Sequence, residues 1–271
     1  MSPSLRPRNE EKSLPLDYHM LGDQEMIKRA IQATLKTFGY RLTRVTDPSV
    51  PDCGLSNFFA LIKRLGFDPK HILDVGANRG NWTRKAINYF PQAQYTLVEP
   101  QDELKIYVKD LVDRGFHLHW INAGASDRPG LLPLHILGPD ESSTFLQVSR
   151  TERESIRQVE VPLRTVNEIV ASSGLPIPEM VKIDAEGFDL KVLAGAFDLF
   201  GKTEIFLAEA SIGQFDFENT ALALIQTMAE AGYRFIDITH FNRSPRHGVL
   251  WLCEFVFLGN TSKLLDVATG Y

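Results

Sequence analysis

Four short apolar runs each end on an acid or one residue past it: HILDV around Asp74, YTLVE at Glu99, MVKIDA at Asp184 and EIFLAEA at Glu209. Runs of four to eight apolar residues read as buried strands, and segments of helical period separate them. NWTRKAINYF, QDELKIYVKDLVDRG, EGFDLKVLAGA and ENTALALIQTMAEAG are the intervening helices. Strand–helix alternation over most of a chain predicts a doubly wound, mostly parallel sheet covered by helices on both faces. The last two strand candidates, YRFIDIT and LWLCEFVFLG, follow each other without a helix, so the sheet should end in an antiparallel pair. GLLPLHIL and RQVEVPLRT form a more β-like interruption, and the stretch from about 131 to 160 is an insertion of the kind that carries substrate contacts.

The N-terminal part has a different texture. Residues 1–16 are polar and proline-containing, which predicts a flexible tail. DQEMIKRAIQATLKTFG reads as a helix, YRLTRV as a short strand, and SNFFALIKRLG as a helix with Ser56 as N-cap and Gly66 as its stop. Residues 17–69 are therefore expected to form a helical extension, and 70–271 the main domain. The apolar faces of the extension suggest a homodimer contact. A net charge of −5 with no long Lys/Arg stripe gives no reason to expect nucleic acid. Two distant cysteines match neither a zinc spacing nor a disulfide framework, which predicts a reducing, cytoplasmic setting. The segment MSPSLRPRNEEKSLP reads as no secretory signal, and no apolar run is long enough to insert in a membrane.

In such a sheet, ligands bind beyond the carboxyl ends of the strands. The first loop reads Asp74-Val75-Gly76-Ala77-Asn78-Arg79-Gly80. Gly76 permits close backbone approach, but Asn78 stands where a dinucleotide loop has its second glycine, so the G-x-G-x-x-G fingerprint is absent. An acid at Asp74 disfavours a diphosphate and suits a cationic ligand. Glu99 follows at about the offset at which an acid grips ribose hydroxyls. A ribose clamp beside a cation-tolerant loop points to S-adenosylmethionine, which carries a sulfonium and no phosphate. Alternatively, Asp74 caps its own turn and Glu99 is a solvated strand end. Pro100 follows Glu99, and Asn122, Ala123 and Ser126 in INAGASD either line an adenine pocket or make an ordinary turn.

Four anions on one rim repel unless a cation joins them. The sulfonium is one candidate, and a bound Mg²⁺ or Ca²⁺ at Asp184 and Glu209 is the other. Glu186 near a helix start is equally explained by the helix dipole. His240, in DITHFNRSPRHG, could act as a base or be a polar loop residue, and the same holds for His247. ESSTFL is either a polar turn or a loop over the ligand. A nicotinamide-dependent oxidoreductase, a non-catalytic binding module and a metal-carboxylate hydrolase are the competing readings.

ILDVGANRGNW, TLVEP, NAGASDRPG, SST, VPLRTVNEIV and above all VKIDAEGFDLKVLAGA together resemble the FkbM-type methyltransferases, over roughly residues 70–258. The resemblance implies a Rossmann-like class I methyltransferase fold, S-adenosylmethionine as methyl donor, and a hydroxyl of a sugar, glycan or natural product as acceptor. It assigns Asp74, Gly76, Asn78 and Glu99 to the cofactor, and places Asp184 and Glu186 beside the reaction centre. An alcohol is a weak nucleophile at neutral pH, so Asp184, Glu209, His240 or a metal ion should assist its deprotonation.

Overall fold

The computed structural model describes residues 54–137, 142–145, 156–213, 218–244 and 246–268. The expected tail, the first helix and the YRLTRV strand lie outside the described residues.

The main sheet is built from β1 (His71–Val75), β2 (Gln94–Val98), β3 (Leu118–Ile121), β8 (Met180–Ile183), β9 (Ile205–Ser211), β10 (Tyr233–Arg243) and β11 (Leu250–Gly259). Its spatial order is β10-β11-β9-β8-β1-β2-β3. β1, β2, β3, β8 and β9 pair in parallel. β11 is antiparallel to both β9 and β10, so it alone is reversed. The expected terminal antiparallel pair is therefore present. Strands buried on both faces need apolar residues at nearly every position, which is why HILDV is continuous rather than alternating.

The pleat sends alternate residues to two cores. Ile72, Tyr95, Leu97, Met180, Ile205, Leu207, Val256 and Leu258 face one; Leu73, Val75, Val181, Ile183, Phe206, Ala208 and Phe255 face the other. The first core is covered by α1 (Leu55–Arg64) and α2 (Asn81–Tyr89), together with the segment that becomes α3 (Lys109–Asp113). Leu55, Phe58, Phe59 and Ile62 give α1 its buried stripe. Phe59 meets Trp82 and Phe90 edge-on, at centroid distances of 5.3 and 5.7 Å. A domain boundary at 70 cuts through this packing, because α1 shares one core with the sheet. Gly54, not Ser56, precedes the helix: the Gly54 carbonyl accepts the first bonds and Ser56 falls inside the first turn. Gly66 does end it, with φ 91°. The second core is covered by α4 (Val166–Ser173), α5 (Asp189–Ala194) and α6 (Ala221–Glu230); α7 (Leu264–Ala268) follows the last strand and returns Leu264 and Leu265 to the first core.

The β-like interruption forms its own sheet, in the order β4-β7-β5-β6. Its strands are β4 (Gly124–Ala125), β5 (Gly130–Leu137), β6 (Ser142–Thr144) and β7 (Ile156–Arg164). Leu134, Ile136 and Val161 make a small core that Phe145 closes. Gly124 must be a glycine here, since a Cβ would lie 2.5 Å from the Phe145 ring.

Candidate functional site

The pairing registers place the site residues. Asp74 pairs with Leu97 and Lys182, and Lys182 with Leu207. Continuing two residues toward the carboxyl edge on the same face gives Glu99, Gly76, Asp184 and Glu209. Glu209 pairs with Glu254, and Glu254 with His240. One row of residues thus crosses six strands, at about 4.8 Å per strand. It lies on the face whose lower half is the first hydrophobic core. A cavity of about 690 Å³ opens along it, with Gly76, Glu99, Asp184, Glu186, Glu209 and His240 in its wall.

At one end, Glu99 is 3% exposed and held by backbone donors. The Asn78 N–H donates to Oε2 at 2.8 Å and the Gln101 N–H to Oε1 at 3.0 Å. Burial raises its pKa to about 7, partly offset by those two bonds and by Lys182. Asn78 takes φ 46°, a geometry Asn tolerates better than most residues, and this turns its N–H toward the glutamate. Gly76, at φ 72°, lies directly against the next loop: a Cβ there would be 1.8 Å from the Asp184 carbonyl oxygen.

Asp74, expected to meet a ligand cation, lies behind the wall. It is fully buried, with Oδ2 accepting the Thr83 hydroxyl at 2.6 Å and Oδ1 paired with the Lys182 ammonium at 3.2 Å. Lys182 is 3% exposed and also reaches Asp184 Oδ2 at 3.3 Å and the Gly76 carbonyl at 3.0 Å. Burial pulls its pKa down, but Asp184, Asp74 and Glu254 outweigh this and hold it above the ordinary lysine value. The cation demanded by the acid row is therefore supplied by the chain. Among the described residues no three His, Cys, Asp or Glu side chains are placed to hold a metal ion.

The KIDAEG segment departs from expectation at its helix. α5 starts at Asp189, not at Glu186, so the helix-dipole account of Glu186 fails. Glu186 takes φ 49° and turns its exposed side chain to the cavity. The surrounding protein, then Asp184 and Glu209, push its pKa to about 7. Asp189 shapes this loop. Its carboxylate accepts the Ala185 and Gly187 N–H groups at 3.3 and 3.2 Å and the Asn219 amide at 3.0 Å. The same Asn219 amide donates to the Glu209 carbonyl at 3.0 Å. Full burial, with Asp184 and Glu209 nearby, raises the Asp189 pKa to about 8.

At the other end of the row, His240 Nδ1 lies 3.5 Å from Glu209 Oε1. The contact with Glu209 raises the imidazole pKa above 6.5, against an opposing effect of burial. Burial raises Glu209 as well, and His240 partly offsets this. Behind them Glu254, 4% exposed, accepts the Thr239 hydroxyl, and burial pushes its pKa to about 7. The described part of ESSTFL, residues 142–145, lies against the site: Ser143 and Phe145 line the cavity, Gln101 donates to Ser143 at 3.3 Å, and Thr144 donates to the Glu186 carbonyl at 3.0 Å.

Of the expected residues, Gly76, Ala77, Asn78, Glu99, Pro100, Ala123, Asp184, Glu186, Glu209 and His240 line one cavity. Gly80 instead caps α2, with a Cβ position 2.4 Å from Val108. Asn122 is exposed and donates to the Pro100 carbonyl at 2.9 Å, while Ser126 donates to Asp127. Neither lines the cavity. His247 is exposed in the loop between β10 and β11 and is also outside the wall. Lys182, Thr239 and Glu254 were missed, although Lys182 in MVKI and Glu254 in LWLCEFVFLG are lone charges inside apolar strands, a pattern that calls for a buried partner.

Numbered by their order in the chain, the seven strands lie 3-2-1-4-5-7-6 with the seventh reversed. That topology, with polar groups gathered at the carboxyl edge, defines a Rossmann-like class I methyltransferase fold. The methyltransferase FkbM domain matches residues 74–235, and the chain belongs to the FkbM methyltransferase family. The curated relative 2-O-methyltransferase NoeI of Sinorhizobium fredii is 22% identical over 152 residues, which are 52% of this chain and 63% of that protein. The match thus spans less than two thirds of the relative's length. Similar solved structures include a putative O-methyltransferase from Klebsiella pneumoniae (TM-score 0.46, 14% identity, 89% of this chain and 97% of that one). Another is the 1,6-didemethyltoxoflavin-N1-methyltransferase of Burkholderia thailandensis, solved with S-adenosylhomocysteine (TM-score 0.43, 11% identity, 92% and 93%).

Proposed function

We propose that the protein transfers a methyl group from S-adenosylmethionine to a hydroxyl of a sugar-like acceptor. The observation that carries this reading is the single row that puts a ribose-type clamp, Glu99, and a histidine–carboxylate pair, His240–Glu209, at opposite ends of one cavity.

The residues fit the donor. Glu99 has one backbone N–H on each oxygen, which fixes the carboxylate and leaves lone pairs for a ribose diol. Pro100, Ala123, Ala125, Leu134 and Phe145 offer apolar wall for an adenine, and the loop after β1 has Asn78 where a diphosphate-binding loop has its second glycine. S-adenosylmethionine, when bound, supplies an electrophilic methyl on a positive sulfur. His240, at the acceptor end of the cavity, would take the proton of the hydroxyl that is methylated, the donor leaving as a neutral thioether. Glu209 orients the imidazole and stabilises its charged form. Asp184 and Glu186 face the same space and can accept hydrogen bonds from neighbouring hydroxyls, which suits a polyol and repels an anion. The 2-O-methyltransferase relative supports oxygen as the accepting atom.

Calorimetric titration with S-adenosylmethionine tests the donor site. Micromolar binding that falls by at least a hundredfold in Glu99→Ala is the expected outcome, from two charge-assisted hydrogen bonds of about 1.5–3 kcal/mol each. Wild-type affinity in that variant would refute the clamp. For the base, kcat/KM with any accepted alcohol should rise with pH through an acidic limb above 6.5, because neutral His240 is the active form and its pKa is raised. An unchanged limb in His240→Gln would exclude that role.

A further inference from the structure

We propose that Lys182 discriminates the charge on the donor's sulfur: its buried ammonium, held between Asp74 and Asp184, opposes a sulfonium and tolerates a thioether. The inference rests on the donor reading above and adds a residue which that reading does not use.

The placement follows from the row. The ribose clamp directly follows β2, and the base pair is on β9 and β10. A methyl group passing between them must lie over the middle of the sheet, where Gly76 follows β1, Lys182 is on β8 and Asp184 follows it. Lys182 lines the cavity at that position. Its ammonium is not free to swing away. Asp74 Oδ1 at 3.2 Å, Asp184 Oδ2 at 3.3 Å and the Gly76 carbonyl at 3.0 Å surround it. Burial at 3% exposure leaves little water to screen it. Among the described residues Lys182 is the one cation paired with Asp74, through Oδ1. The trio therefore presents a fixed charge pattern to whatever lies above it.

That pattern has a consequence for the reaction. Methyl transfer moves CH₃ from sulfur to the acceptor oxygen, returns the bonding pair to sulfur, and passes the hydroxyl proton to His240. Sulfur loses its positive charge in this step. Repulsion from Lys182 acts on the reactant and fades toward the transition state, so it lowers the barrier rather than merely weakening binding. Asp74 and Asp184 together outweigh the ammonium, so the trio as a whole still attracts the donor, and Lys182 sets how far that attraction favours the charged reactant over the thioether product.

The test uses the whole protein and two titrants, S-adenosylmethionine and S-adenosylhomocysteine, by calorimetry at pH 8. The two ligands differ only in the S-methyl group and the charge it places on sulfur, so the change in their affinity ratio between charge variants isolates the sulfonium. Lys182→Met should shift that ratio toward S-adenosylmethionine by about tenfold, the effect of one unit charge within about 10 Å at protein-like dielectric. Asp74→Asn, which keeps the Thr83 contact and leaves Lys182 less neutralised, should shift it the opposite way. The double variant should return toward wild type, as expected for coupled neighbours. Lys182→Arg, which preserves the charge, should leave the ratio within twofold. Asp74→Asn alone carries the test if Lys182→Met does not fold. Equal losses of both affinities, with the ratio unmoved, would show a purely structural lysine and overturn the inference. Wild-type protein that binds neither ligand would overturn the donor reading and this inference with it.

Discussion

Replacing Glu254 by Gln should stabilise the protein at pH 8 and do little at pH 4.5. Glu254 is 4% exposed, and its carboxyl is carried from an ordinary 4.5 to about 7, chiefly by burial. The native state therefore holds the proton over a pH range where the unfolded chain has released it. The sign follows from linkage: a raised carboxyl pKa gives stability that is present below 4.5 and is lost as pH rises to about 7. At pH 8 the native protein must carry an unfavourable buried charge that costs about 3 kcal/mol relative to the unfolded chain. Glutamine mimics the protonated acid in shape, keeps an oxygen for the Thr239 hydroxyl, and never ionises. Chemical denaturation of both proteins at pH 4.5 and pH 8 measures the difference. Glu254→Gln should gain about 3 kcal/mol between the two conditions, or a melting-point change on the order of 6–12 °C. A stability difference that is the same at both pH values would refute the reasoning, because a packing effect has no reason to titrate.

Three further outcomes follow from the same geometry. Gly76→Ala should abolish donor binding and destabilise the fold, since its Cβ would sit 1.8 Å from the Asp184 carbonyl at a φ of 72°; wild-type titration curves in this variant would contradict that contact. Thr83→Val leaves Asp74 Oδ2 without its hydroxyl partner and should cost about 1–3 kcal/mol by urea denaturation, with little change in volume. Phe59→Ala should cost about 3–5 kcal/mol, because it removes a fully buried ring from the aromatic cluster that fastens α1 to the sheet; a loss under 1 kcal/mol would show that α1 is dispensable to that core.

The sheet was legible because its strands are apolar throughout and end on acids. Asp184, Glu209 and Glu99 could be placed at one edge from the sequence alone, since strand ends set their position. Asp74 could not be assigned a direction. A strand-end acid points either into the cavity or into the sheet's covering layer, and here Thr83, nine residues later on α2, draws it inward. Lys182 escaped notice because strand period alone does not say whether a lone lysine snorkels to solvent or is buried on paired charges. Glu254 lies on the reversed strand, whose amino half carries it to the carboxyl edge of its neighbours; only the pairing register reveals this. Glu186 was misread as a helix start because the sequence does not announce a non-glycine residue at φ 49°; the loop is held by the nearby Asp189 carboxylate, which Asn219 fixes from 30 residues further along the chain.

The row from Glu99 to His240 makes the backbone a ruler. Its graduations are interstrand hydrogen bonds, which do not stretch, so the gap between donor end and acceptor end comes in whole strand spacings. Side-chain length is the only fine adjustment available. Shortening Glu209 by one methylene would draw its carboxylate back toward the sheet without moving any strand, whereas relocating it by a strand would demand a different topology. Under the proposed reading, acceptors of different reach would be fitted by exchanging aspartate and glutamate along a fixed line, without disturbing the fold that measures the distance.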